Sequence, residues 1–209
     1  NKKAGSFGKA SVFSFYPNKQ LNTGEGGIVL TNDKEFYDMC DSLHNQGRVD
    51  SGQWLQHKYL GYNYRLNELN CALGVSQLNR INSIIQRRQE IAEKYNQELS
   101  NIKGITIPFV SDNCKHTRFV YVILLENNFD RDKIIEILNR KGIQTKPYFP
   151  SIHMQELYTN LFNYKEGSYP ICEEISRRAL ALPFYEELTD DEIKEVSIKL
   201  NEVLNEQSI

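Results

Sequence analysis

Apolar residues recur along this chain with two different periods. Residues 10–16 and 27–31 are short runs rich in Val, Ile, Leu and Phe, and they predict buried strands. Residues 33–46 change period. Phe36, Tyr37, Met39, Cys40 and Leu43 lie at helical spacing, Asn32-Asp33 precedes them as an N-cap signal, and Gly47 closes the run. Residues 48–64 show neither period and hold Trp54, His57 and the cluster Tyr59, Tyr62 and Tyr64. From Leu66 to about Ser100 the helical spacing returns through Leu66, Leu69, Leu73, Leu78, Ile81, Ile85, Ile91 and Tyr95, with Asn67 or Asn82 as the place for a bend. A helix of that length commonly joins two lobes.

Beyond Gly104 and Pro108 the elements become short and mixed. Phe119 to Leu125 predicts a strand. Asp130 to Lys141 predicts a helix with an acidic start, a basic end and Gly142 as its stop. Residues 143–146 read as a short strand and 147–150 as a loop. Two more helices are expected near 171–179 and 190–206, the second opening on the capping box Thr189-Asp190-Asp191-Glu192. The result is an α/β chain ending in a small α+β lobe.

Composition removes several classes of function. At 209 residues, with 40% apolar and 25% charged residues, the chain is an ordinary globular polypeptide of one large or two small domains. A net charge of −2 leaves no basic footprint for nucleic acid. No apolar run is long enough to span a bilayer, and no signal-peptide pattern is present. Cys40, Cys71, Cys114 and Cys172 are scattered without a C-x-x-C pair, so they read as reduced thiols of a cytoplasmic protein. His44, His57 and His116 have no metal-ligand spacing, and no metal is expected.

Chemistry is concentrated at Lys19. This residue lies between the first strand and a glycine-rich turn, Gly24-Glu25-Gly26-Gly27, that opens the second. A primary amine at a strand end stands where α/β enzymes keep their reactive groups, and it can form a Schiff base with an aldehyde cofactor. The alternative is a solvated lysine in a turn.

Phe13-Ser14-Phe15, Lys19 and Gly24-Glu25-Gly26-Gly27 resemble, without gaps, a motif of the DegT/DnrJ/EryC1/StrS sugar aminotransferases. Two further stretches extend the resemblance over nearly the whole chain: Gly61-Tyr62-Asn63-Tyr64-Arg65-Leu66, and Gly142 to Tyr158. The resemblance implies a pyridoxal 5′-phosphate-dependent transferase of fold type I. Residues 1–80 would be the C-terminal part of the cofactor-binding large domain, and 81–209 the linking helix and the small C-terminal domain. It implies Lys19 as the Schiff-base lysine, and Ser14 and Asn63 as phosphate-binding residues. Asn63 would serve the other subunit of a homodimer with shared active sites. Arg65 could meet a phosphate or carboxylate of the substrate, or pair with Glu68. Tyr148 and His153 would lie near the sugar, although His153 could equally cap the following helix.

The implied reaction moves an amino group from an amino acid, by family analogy glutamate, to a nucleotide-linked 4-keto-6-deoxy sugar for polysaccharide synthesis. The stretch from Tyr148 to His153 looks most like perosamine-type members. Rival readings are a sugar dehydratase sibling, against which Lys19 argues because dehydratase members without the Schiff-base lysine have histidine there, and a non-catalytic or regulatory protein keeping the fold. The family's pyridine-nitrogen aspartate, its ring-stacking aromatic and its backbone phosphate donors lie upstream of the motifs found here. The expectation is therefore a C-terminal part of a longer polypeptide, inactive by itself.

Overall fold

The computed structural model describes residues 2–49 and 54–207, and their contacts group into two compact units, Asn1–Asn82 and Ser83–Ile209. In the first unit, β1 (Ala10–Ser14) and β2 (Gly27–Thr31) pair antiparallel from Ala10↔Thr31 to Ser14↔Gly27. These strands stand where the apolar runs put them, but they are not buried: Val12 is 76% exposed and Val29 46%. The reason is geometric. A two-stranded ribbon covers neither of its own faces, and among the described residues no third strand joins it.

Helix α1 (Lys34–His44) follows, capped by the Asp33 carboxylate, which accepts from the Phe36 N–H at 2.9 Å. Asp33 is also paired with Lys9 at 3.0 Å, and these bonds, the cap first, hold its carboxyl below the ordinary carboxylate range. The long helical stretch is two helices, α2 (Glu68–Asn79) and α3 (Ile81–Leu99), each with its own boundary. Asn67 caps α2 by accepting from the Asn70 N–H at 2.9 Å. The break falls at Arg80, whose φ of −106° and ψ of 2° leave the helical region. Its N–H turns to the carbonyls of Gln77 and Leu78.

The second unit is built on a four-stranded antiparallel sheet ordered β3-β4-β6-β5: β3 (Ile105–Thr106), β4 (Tyr121–Leu125), β5 (Lys146–Pro147) and β6 (Ala179–Leu182). Helices α4 (Arg131–Arg140), α5 (Glu156–Phe162), α6 (Pro170–Arg178) and α7 (Asp190–Gln207) complete it. Tyr121, Ile123 and Leu125 alternate into a core with Ile91, Tyr95 and Leu99 of α3, Ile134 and Leu138 of α4, and Ile193 and Leu200 of α7. Within it Tyr95 and Tyr121 stack at 4.8 Å, and burial raises both phenol pKa values. Each hydroxyl finds a partner, Tyr95 donating to the Pro183 carbonyl at 2.8 Å and Tyr121 to Asn96 Oδ1 at 2.7 Å.

The capping box of α7 is formed: Thr189 N–H donates to Glu192 Oε2 at 2.8 Å, and Glu192 N–H returns to Thr189 Oγ1 at 3.3 Å. The expected strand at 143–146 is displaced to Lys146–Pro147, where proline is tolerated because β5 stands at the sheet edge. Strands β3 and β6 and helix α5 had no distinct sequence signal. No described helix is long and apolar enough to cross a membrane.

Candidate active site

Lys19 stands in the turn that joins β1 to β2. The chain leaves β1 at Ser14, whose Oγ accepts the Tyr16 N–H at 3.2 Å, and Lys19 N–H closes a short turn onto the Tyr16 carbonyl at 2.9 Å. The return leg is bonded back to the strand end: Thr23 N–H to the Phe15 carbonyl, and Phe15 N–H to the Gly26 carbonyl, both at 2.9 Å. The buried Thr23 hydroxyl donates to the Glu25 carbonyl at 2.7 Å. Gly26 sits at φ 143°, and a Cβ there would meet Thr23 Oγ1 at 2.9 Å and Leu66 Cδ1 at 3.0 Å. Helix α2 supports the turn through Gly74, beside the Thr23 methyl, and Asn70, whose amide lies 3.4 Å from the Glu25 carbonyl. Ser14 and Lys19 thus belong to one bonded loop. Ser14 still has its hydroxyl proton to donate, because its bond to Tyr16 uses the oxygen as acceptor.

A second constellation forms at the end of α1. Gln46 N–H bonds to the Tyr62 carbonyl and Tyr62 N–H to the Leu43 carbonyl, both at 2.7 Å, and Tyr64 N–H reaches the His44 carbonyl at 2.8 Å. This clamp brings Asn45 opposite Asn63. Arg65 Nε then donates to Asn63 Oδ1 at 2.9 Å, and Arg65 Nη1 to Asn45 Oδ1 at 3.2 Å. Arg65 therefore bonds two asparagines rather than Glu68. With its oxygen committed to the guanidinium, the Asn63 amide has its two N–H donors left to offer. Tyr62 and Tyr64 flank it with exposed rings stacked at 4.9 Å.

Tyr148 and His153 lie in the second unit. Tyr148 follows β5, half-buried against Phe149 at 4.6 Å between ring centroids, and burial raises its phenol pKa. A single 3₁₀ turn, Ile152–Met154, directs His153 inward, where it is 8% exposed. Its Nε2 meets Glu173 Oε1 at 2.8 Å, and its ring packs edge-on against Tyr169 at 4.8 Å and Tyr164 at 6.1 Å. Glu173 also accepts the N–H groups of Gly167 at 2.8 Å and Tyr169 at 3.0 Å. Those two backbone bonds first, and His153 after them, lower the Glu173 carboxyl to about 2.

Sequence reasoning missed Glu173 and Asn45. Glu173 is an ordinary first-turn acid of α6 by spacing, and nothing local marks Asn45 as Arg65's second partner. Among the described residues no cluster of His, Cys, Asp and Glu could hold a metal ion.

Residues 1–201 match the model of the DegT/DnrJ/EryC1/StrS aminotransferase family. A GDP-perosamine synthase of Vibrio cholerae is 35% identical over 197 residues, which are 93% of this chain and 53% of that protein. The spore coat polysaccharide biosynthesis protein SpsC of Bacillus subtilis is 34% identical over 205 residues, 92% of this chain and 53% of that one. Among solved structures, Helicobacter pylori PseC, an aminotransferase involved in the biosynthesis of pseudoaminic acid, superposes with a TM-score of 0.91 at 30% identity, covering 99% of this chain and 56% of its own. The chain spans about half the length of the curated relatives it matches.

Proposed function

This chain belongs to the DegT/DnrJ/EryC1/StrS aminotransferase family, and from that premise we propose that it is the lysine-bearing part of a pyridoxal 5′-phosphate-dependent enzyme. The enzyme moves an amino group from an amino acid, glutamate in this reading, to a nucleotide-linked 4-keto-6-deoxy sugar destined for polysaccharide synthesis. The observation that carries the reading is the bonded loop from Ser14 to Gly27, with Lys19 in it, inside the stretch that the family model matches.

The donor set fits a phosphorylated aldehyde. When bound, the cofactor supplies the aldehyde that a primary amine captures and a ring that withdraws electrons from the substrate carbon. Lys19 provides the amine and, in its neutral form, takes and returns the proton at that carbon. The Ser14 hydroxyl and the Asn63 amide donate to the phosphate. Arg65 holds Asn63 in place with one N–H, contacts Asn45 with another, and has three donors left for the substrate's phosphates. Tyr148, kept protonated by burial, offers a donor to the sugar, and His153 shapes the same loop through Glu173.

The assembly in this reading is a homodimer in which Asn63 serves the neighbouring subunit's site. The additional chain length of the relatives would supply the pyridine-nitrogen carboxylate and the ring-stacking aromatic. The exposed faces of β1 and β2 support a further layer packing there.

The test is spectroscopic and covalent. In the full-length protein, the reading expects a yellow cofactor complex that borohydride bleaches, with the reduced adduct recovered on the Lys19 peptide by mass spectrometry. Lys19→Ala should lower turnover by roughly a thousandfold or more while near-ultraviolet dichroism is unchanged. An adduct on another lysine, or substantial turnover by the variant, refutes it.

A further inference from the structure

We propose that the cleft between α3 and the loop preceding β4 is an oxyanion-binding site, in which Arg118 takes a small carboxylate or phosphate. The site lies wholly within the second unit and does not rest on the transaminase reading. The cleft has a volume of about 480 Å³ and is lined, among others, by Glu93, Asn96, Cys114, Lys115, His116 and Arg118.

Arg118 is the anomaly. It is 4% exposed, and its Nε, like that of Arg88, is shielded from solvent with no hydrogen-bond partner among the described residues, so what sets Arg118 apart is the lack of a counter-ion. A guanidinium does not lose its charge, so a buried one without a counter-ion is costly. Its backbone adds to that cost, because φ is 46°, a region that side chains with a Cβ seldom occupy. The other buried arginine of this unit shows the ordinary solution: Arg88 lies 3.4 Å from Glu186, 3.4 Å from the Phe119 carbonyl, and over the Phe184 ring. Arg118 forms no ion pair of that kind among the described residues. Glu93, which lines the same cleft, is instead bonded to Gln89 Nε2 at 2.8 Å.

The groups around Arg118 are arranged as donors. His116 Nδ1 accepts the Arg118 N–H at 3.0 Å, so the proton of the neutral ring sits on Nε2. Burial, and then the Arg118 charge, keep His116 below its ordinary pKa, which favours that neutral form. Asn96 Oδ1 is occupied by the Tyr121 hydroxyl, which leaves its amide N–H groups to donate. Lys115 adds a second positive charge at the exposed edge. A fixed cation with N–H donors lining the same cleft suits carboxylate or phosphate oxygens and disfavours a metal ion.

Cys114 provides the probe, since it is exposed and lines the cleft, while Cys172 is exposed and does not. Alkylation of both thiols by iodoacetamide is followed by peptide mass spectrometry on the full chain. Inorganic phosphate, succinate and sodium chloride are compared at matched ionic strength. Phosphate or succinate should protect Cys114 saturably, by about tenfold at ten times the dissociation constant, and leave Cys172 unchanged. Whichever of the two protects identifies the oxyanion. Arg118→Met should abolish the protection, and so should Asn96→Asp, which replaces an N–H donor with a second carboxylate beside that of Glu93 and serves alone if the first variant does not fold. Absence of saturable protection, equal protection by chloride, or protection that survives in the folded variants overturns the proposal.

Discussion

Gly61 has to be glycine for a reason that no dihedral angle reveals, and Gly61→Ala tests it. Unlike Gly24 and Gly47, it has no positive φ, so conformational freedom is not what the position requires. A Cβ at this position would lie 2.1 Å from the Gly47 nitrogen, 2.6 Å from the Gln46 carbonyl carbon and 2.8 Å from the Leu43 carbonyl oxygen. All three are backbone atoms and cannot swing aside. The two segments would have to part by about 0.9 Å to bring the nearest approach to 3.0 Å, the lower limit for real Cβ atoms.

Parting them stretches the 2.7 Å bonds Gln46 N–H to Tyr62 and Tyr62 N–H to Leu43 to about 3.6 Å, where they no longer count as bonds. The Tyr64 N–H bond to His44 would go with them. At about 1 kcal/mol each, the local loss is about 3 kcal/mol. The matched control is Gly24→Asn. Gly24 has φ 79°, and a Cβ on it would meet nothing within 4 Å, so asparagine, which tolerates this region, should cost less than about 1 kcal/mol. Hydrogen exchange read by mass spectrometry should show weakened protection at Gln46, Tyr62 and Tyr64 in Gly61→Ala, and the bond from Arg65 to Asn45, which spans the two segments, should be lost with the backbone bonds. The core amides of β4 and α4 should keep their protection. Unchanged exchange at Tyr62 and Tyr64, or an equal effect from Gly24→Asn, would refute the steric argument.

Two further predictions concern the site and its support. If Asn63 completes the neighbouring subunit's site, full-length Lys19→Ala and Asn63→Ala proteins mixed under subunit exchange should regain activity above either parent; demonstrated exchange without recovery excludes a shared site. Glu173, held at about 2 against an ordinary 4.5, contributes stability that is fully present above 4.5 and is lost as pH falls through that interval toward about 2. Glu173→Gln should therefore be less stable than the parent at neutral pH and approach it across that interval in urea melts; a constant difference between the two across it refutes this role.

What was legible in the sequence is what neighbouring residues decide among themselves. The cap at Asp33, the acidic helix start at Asp130, the box from Thr189 to Glu192 and the stop at Gly142 act within a few positions, so residue type and spacing suffice. The Lys19 loop was legible because its motif is contiguous. Tertiary structure decided whatever depends on partners far along the chain. Ala179–Leu182 carries no alternation, yet it is a strand because β4 pairs with one edge and β5 with the other. His153 is buried because Glu173, twenty residues on, accepts its bond. Apolar strands at 10–14 and 27–31 were recognisable as strands, but whether their faces are covered depends on what packs over them, and a pattern of side chains cannot state that. Hydrophobic periodicity reports which face should be buried; only the assembled backbone supplies the surface that buries it.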